Sequence, residues 1–371
     1  MVEELGEEVM MNNLIRIVIA IAIVLVIFIY FDNPVHENEL ITGSNNTGQV
    51  IPNSSTEVVE VETAFTRPKE GVSTLVGGST QAVIELLGKP TRTEPSAFGY
   101  EWWVYNQSLK TYLLIGVEGD KVTQAFAAGD NVEVAPYKIG QDVDEIYRFT
   151  LVQSEITFSI DSNTYTFSLT EDDIDNRILV QFDNLFAMLY IDSESRQLEA
   201  VRFTDPKTIL LHKPYDILYN GIMVETKTPD SLFQAAIDRA NERQVFELTN
   251  VYRYRNNLRL LVSDNELQNI AMDNSEEMAK NNIVVNEKFE VSKFSDQLKE
   301  SSIEFSSAAG NTAAFYFDAG EAVNGWMNSN DHREILLGQD YTHTGIGVYG
   351  SYYTQNFIER TAVNTTKDIL Q

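Results

Sequence analysis

The sequence predicts an α+β protein with a single N-terminal transmembrane helix, a duplicated small helix-plus-antiparallel-sheet module and a C-terminal α-β-α sandwich. Three observations predict it. Residues 14–31 form an apolar run interrupted only by Arg16. A helix-then-strands order recurs over residues 71–225 with a period of about 65 residues. Beyond residue 240, helical periodicities flank strand patterns. Composition narrows the function. With 27 Lys and Arg against 55 Asp and Glu in 371 residues, the net charge is −28, which excludes a nonspecific nucleic-acid binder that works by neutralising phosphates. The 43% hydrophobic and 11% aromatic content excludes disorder throughout. The chain has no cysteine, so disulfides, thiol nucleophiles and thiolate metal sites are excluded together.

Residues 1–13 read as a cytoplasmic tail and residues 14–31, LIRIVIAIAIVLVIFIYF, as the anchor. A spanning helix needs about 17–25 residues, and Arg16 can snorkel to the interface. A cleaved signal would end in small residues, whereas this run ends in Phe28, Tyr30 and Phe31 before Asp32-Asn33-Pro34. Arg16 on the N-terminal side predicts a cytoplasmic N-terminus, hence a single-pass protein of the cell membrane with an extracytoplasmic body. Residues 32–70, rich in Asn, Ser, Thr, Glu and Gly, read as a flexible spacer.

In the middle region, residues 79–87 (STQAVIELL) carry a capping Ser or Thr and apolar residues at helical spacing, and Gly88-Lys89-Pro90 supplies the stop. Residues 101–105, 111–117 and 121–126 then alternate as strands, with Gly119-Asp120 as a turn. The order recurs from Lys138-Ile139-Gly140-Gln141, through a helix over 143–149 and strands around 155–160, 164–168, 178–182, 185–191 and 198–203. Trp102, Trp103 and Tyr105 are either sheet core or exposed anchors for a protein partner. No polar constellation in this region is catalytic.

In the C-terminal region, residues 232–243 read as a helix leading into 246–255. A second helix over 266–280 buries Leu267, Ile270, Ala271, Met278 and Ala279 along one face. Residues 321–327 and 332–337 read as shorter helices, and 345–348 and 352–358 as strands.

Several segments carry a resemblance. Leu248-Thr249-Asn250-Val251-Tyr252-Arg253, Ala322-Val323-Asn324-Gly325-Trp326-Met327-Asn328-Ser329, His332-Arg333-Glu334-Ile335-Leu336, Gly345-Ile346-Gly347-Val348 and Tyr353-Thr354-Gln355-Asn356-Phe357 resemble the bacterial branch of the CAP superfamily (cysteine-rich secretory proteins, antigen 5 and pathogenesis-related proteins; also called SCP). Gly88-Lys89-Pro90, residues 100–105, Tyr137-Lys138-Ile139-Gly140 and Pro214-Tyr215-Asp216 are similar to the CAP-associated N-terminal domain that precedes such modules in Bacillus-like, Gram-positive bacteria. The resemblance implies a CAP fold over 240–371, a CAP-associated domain of two repeats over 71–225, and a membrane-anchored protein of the cell envelope.

The family pocket is framed by two His and two acidic residues able to hold a divalent metal. Carried over, the second His falls on His332, the first on Asn286 and one Glu on Gly310, with Glu321 a distant candidate for the other. So eroded a set binds Zn²⁺ poorly, and no cofactor is expected; His332 and His343 are weak metal candidates. The implied alternative is a polar groove of Asn286, Asn311, His332 and Gln355 that binds a ligand.

Gly345-Ile346-Gly347-Val348-Tyr349-Gly350 matches G-x-G-x-x-G, but strand patterns follow it, so a hairpin is expected rather than a dinucleotide turn. Ser329, Asp331 and His332 lie too close in sequence to be expected to converge as a triad. Asp172-Asp173 with Asp175, and Glu276-Glu277, read as solvated charge. The resulting expectation is a noncatalytic extracytoplasmic binding or scaffold protein for a protein, lipid or cell-wall ligand. The alternatives are a hydrolase using His332, with or without metal, and an envelope sensor acting through a membrane partner.

Overall fold

The computed structural model describes residues 35–43, 48–50, 65–281 and 291–360. The apolar run at 14–31 lies outside them, and among the described residues no helix is long and apolar enough to cross a membrane. Strands β1 (Val35–Glu37), β2 (Ile41–Thr42) and β3 (Gln49–Val50) come from the segment expected to be spacer. The first unit consists of α1 (Thr80–Leu87), β4 (Arg92–Pro95), β5 (Glu101–Tyr105), β6 (Leu113–Glu118) and β7 (Lys121–Ala127). The second consists of α2 (Val143–Tyr147), β8 (Glu155–Ile160), β9 (Asn163–Ser168), α3 (Glu171–Asn176), β10 (Arg177–Phe182), β11 (Leu185–Ile191) and β12 (Leu198–Thr204), followed by α4 (Pro206–His212) and β13 (Asp216–Asn220). The C-terminal unit holds α5 (Ser231–Arg255), β14 (Val262–Ser263), α6 (Asn265–Lys280), α7 (Val291–Glu300), β15 (Phe305–Ala314), α8 (Ala319–Met327), α9 (Asn330–Leu336), β16 (His343–Tyr349) and β17 (Tyr352–Arg360).

The two units of the middle region use the same opening. Gly77 N–H donates to the Val122 carbonyl at 2.7 Å, and Gly140 N–H to the Leu198 carbonyl at 2.8 Å. Both glycines sit at φ 82°, a conformation that costs a residue with a Cβ. Each is followed by a capped helix, with Ser79 accepting from Ala82 N–H and Asp142 from Asp144 N–H. The two meanders join through antiparallel pairing of β7 with β12, giving one sheet in the order β10-β11-β12-β7-β6-β5-β4. Strands β8 and β9, expected as part of the second meander, instead form a separate sheet, β3-β13-β9-β8.

The seven-stranded sheet is covered on both faces. Val83, Ile115, Ile146 and Leu189 belong to the core on one face, where α1 and α2 lie. On the other, Trp102, Phe126 and Tyr190 share a continuous core with Val245, Leu248, Tyr252 and Trp326 of the C-terminal unit. Of the two readings of these aromatics, sheet core holds for Trp102 and Tyr105, which are 2% and 4% exposed. Apolar side chains on a sheet face are buried when a second layer is available to cover them, and the C-terminal unit is that layer for Trp102.

In the C-terminal unit, α6 lies against β16 and β17, while α5, α8 and α9 close the other side. Asp230 and Asp264 cap α5 and α6 by accepting two backbone N–H groups each. The glycines of the G-x-G motif allow the close approach of α6. A Cβ on Gly345 would lie 2.2 Å from Gln268 N, and one on Gly347 2.1 Å from Met272 N. The motif is part of a β16–β17 hairpin.

Candidate functional site

The candidate site is built along one edge of the C-terminal sheet. β15 pairs with β17 on one side, Asn311 opposite Gln355. Its other edge exposes every second carbonyl, and the chain's own N-terminal segment pairs along it. Asn38 N–H donates to the Gly310 carbonyl at 3.3 Å and Gly43 N–H to the Ala314 carbonyl at 2.8 Å. The carbonyl between them, Thr312, accepts instead from the Trp326 indole Nε1 at 3.2 Å. With that rung occupied, the strap bulges. It pairs in parallel register as Glu37↔Gly310 and again as Ile41↔Ala313, advancing four residues against three.

The bulge turns the Glu39 carbonyl toward His332, whose Nε2 lies 2.7 Å away. A carbonyl only accepts, so Nε2 carries the proton and Nδ1 is the acceptor for Ser329 Oγ at 2.8 Å. Ser329 and His332 therefore do converge, contrary to the expectation from their spacing, because one turn of helix separates them at the start of α9 and the Ser329 hydroxyl bonds the ring rather than capping the helix. Burial pushes the imidazole down to about 4. Asn311, fully buried, donates from Nδ2 to the His332 carbonyl at 2.9 Å and accepts from Asn38 Nδ2 at 3.2 Å.

The remaining expected site residues are placed as follows. Gln355 lies on the face of Asn311 but is fully buried, its amide bonded to Thr249 Oγ1 at 3.1 Å and Thr344 Oγ1 at 3.3 Å, so it lines no groove. His343 stands at the start of β16, its Nδ1 2.8 Å from Thr342 Oγ1. Asn286 lies outside the described residues. At the Gly310 position the Glu37 side chain runs alongside, 3.8 Å from where a Cβ would be.

Glu321 is 3% exposed and bonded across the boundary between the two units. It accepts from Arg177 Nη1 at 2.8 Å and from the Tyr190 hydroxyl. Arg177 also binds Asp173 at 2.8 Å and the Pro214 carbonyl at 2.6 Å, which makes Asp173 structural rather than merely solvated. Nearby, Arg202 bonds Asp318 at 2.9 Å, Gln124 at 2.8 Å and Tyr190 at 3.1 Å. A cleft of about 420 Å³ opens beside this network, lined by Leu40, Thr42, Arg177, Tyr190, Glu321 and Ser329 among others.

The donor set does not fit the family's divalent metal. Among the described residues no three His, Asp or Glu side chains gather, Gly310 has no donor, and Glu321 is engaged by a cation. Sequence reasoning missed the strap and the roles of Arg177 and Ser329.

Comparison with known proteins agrees with this architecture. Residues 76–215 match the family model described as CAP-associated N-terminal, and residues 246–362 match the cysteine-rich secretory protein family. The chain is 33% identical over 350 residues to the uncharacterized membrane protein YlbC of Bacillus subtilis, covering 94% of this chain and 100% of the relative. A crystal structure of an extracellular protein containing an SCP domain from Bacillus anthracis superposes with a TM-score of 0.73 at 35% identity, over 84% of this chain and 100% of that one. A cysteine-rich secretory protein from Staphylococcus aureus gives a TM-score of 0.73 at 25% identity, over 87% and 100%. The chain belongs to the cysteine-rich secretory protein (CAP) family, in the form that carries a CAP-associated N-terminal domain.

Proposed function

We propose that the chain is a membrane-anchored extracytoplasmic binding or scaffold protein whose CAP pocket is noncatalytic. The observation that carries this reading is the state of His332. Both ring nitrogens are engaged, and burial holds it at about 4, whereas a general base works best with a pKa near the operating pH. The apolar run at 14–31 supports the anchor, as does the likeness to a relative named a membrane protein; a neighbour named extracellular supports the placement of the body.

The two units share a core, so the globular body is tested whole. The test is a crosslinking pull-down from Gram-positive cell envelopes with residues 35–371, comparing wild type with His332→Gln. Capture of the same protein, lipid or wall fragment by both supports a noncatalytic binder. Capture of nothing beyond a charge-matched acidic control refutes it.

A second reading, a hydrolase, is favoured by one observation: the Ser329–His332 hydrogen bond beside the cleft. Hydrolysis of a chromogenic ester or peptide that Ser329→Ala abolishes would establish it in place of the first.

A further inference from the structure

We infer that the edge of β15 opposite β17 is a binding site for an extended peptide, and that residues 35–43 are its resident, displaceable occupant. This deepens the binding role proposed above and rests on it. An edge strand with free carbonyls is a template for strand addition, and here the addition is seen: two short parallel pairings, β1 with β15 and β2 with β15, separated by the bulge at Glu39.

The occupant is held by few groups, and these define what the edge recognises. A carboxamide at position 38 meets Asn311. A backbone carbonyl at position 39 meets His332 Nε2. An aliphatic side chain at position 40, 5% exposed, enters a small apolar pocket of Met278, Ala314 and Tyr352. At position 43 only glycine fits, because a Cβ would lie 2.7 Å from the Phe315 carbonyl oxygen. The site thus reads backbone through β15 and His332, and side chains through an Asn-x-Leu pattern. His332 acts as a neutral hydrogen-bond donor to a peptide carbonyl, a role that suits an imidazole fixed in one tautomer.

Displacement is the property to measure. A tethered occupant competes at an effective concentration of about 1 mM, so a free peptide of ~100 µM intrinsic affinity binds roughly tenfold more weakly to the intact chain than to one whose strap is released. The experiment uses the full chain in detergent micelles and a fluorescein-labelled peptide of residues 34–44, read by anisotropy. Gly43→Val combined with Leu40→Asp evicts the strap without altering the walls of the edge.

The expected result is binding of the peptide at least about tenfold tighter in this variant than in wild type, and no binding of a scrambled peptide. A variant that melts as wild type does, yet binds the native peptide no better than the scrambled one, overturns the inference. Hydrogen exchange on the wild-type chain provides the second test should the variant not fold. The amides of Asn38 and Gly43 should exchange by local opening, at least about a hundredfold faster than those in the β15–β17 pairing. Exchange of both sets only with global unfolding would also overturn it. An envelope component captured equally by wild type and variant, with no peptide binding, would leave the broader binding role standing and remove this edge from it.

Discussion

The burial of His332 makes a quantitative prediction about pH. The ring is neutral in the folded state with its pKa pushed down to about 4, while in the unfolded chain it titrates near 6.5. A lowered imidazole pKa means that protonation favours the unfolded state. The His332 contribution is therefore fully present above about pH 6.5 and is lost as pH falls from there toward 4. At about 1.36 kcal/mol per unit, the loss relative to pH 7.5 is about 2 kcal/mol at pH 5 and about 3 kcal/mol at pH 4. Other groups titrate over the same range; burial raises Glu242 to about 7, which acts in the opposite direction. The difference between wild type and His332→Gln isolates the ring, because the Gln amide can still donate to the Glu39 carbonyl but does not titrate. The assay is guanidinium unfolding at pH 7.5, 6, 5 and 4, followed through the fluorescence of Trp102, Trp103 and Trp326. A wild-type-minus-variant difference that stays within about 0.5 kcal/mol over that range would refute a buried, neutral His332.

Three further outcomes follow from the packing. Glu321→Ala leaves Arg177 and Tyr190 without their shared acceptor between the two units and should destabilise by about 3 kcal/mol, as breaking buried pairs does; Glu321→Gln should cost less, and equal losses in urea unfolding would contradict the ion-pair role. Gly347→Ala places a methyl 2.1 Å from Met272 N, forcing α6 off the sheet at a cost of about 2 kcal/mol or more, read as a fall in Tm; an unchanged Tm would show that the helix can give way. Trp326→Phe removes the indole that holds the Thr312 carbonyl and should both lower stability by about 2 kcal/mol and speed exchange of the strap amides; strap exchange that stays at the wild-type rate would separate the bulge from the indole.

Helix α6 and the β16–β17 hairpin were legible because each carries its own period: Leu267, Ile270, Ala271 and Met278 recur at helical spacing and are buried, while Ala279, expected with them, is half-buried. The opening at Gly140 was legible because a turn at positive φ needs a specific residue. β15 was not read as a strand. Its sequence, FSSAAGNTAA, has neither large side chains nor alternation, since it is covered by helices on both faces and paired on both edges, and its small residues leave no binary pattern. α7, VSKFSDQLKE, escaped because a single apolar pair, Phe294 and Leu298, marks its buried side.

Of the residues expected at the site, the structure joins His332 and Asn311 through the backbone of α9. The sequence could not indicate that residues 35–43, with only two to three residues per strand, lie against β15, because such pairing draws its stability from the partner's edge carbonyls and not from any local preference. Nor could it show the two units sharing a core. Local sequence determines turns, caps and amphipathic periods, which depend on neighbours a few positions away. Which acidic residue meets which cation, which carbonyl reaches His332, and whether Trp102 faces water or Arg202 are decided by contacts between residues up to 293 positions apart, and these exist only once the layers have packed.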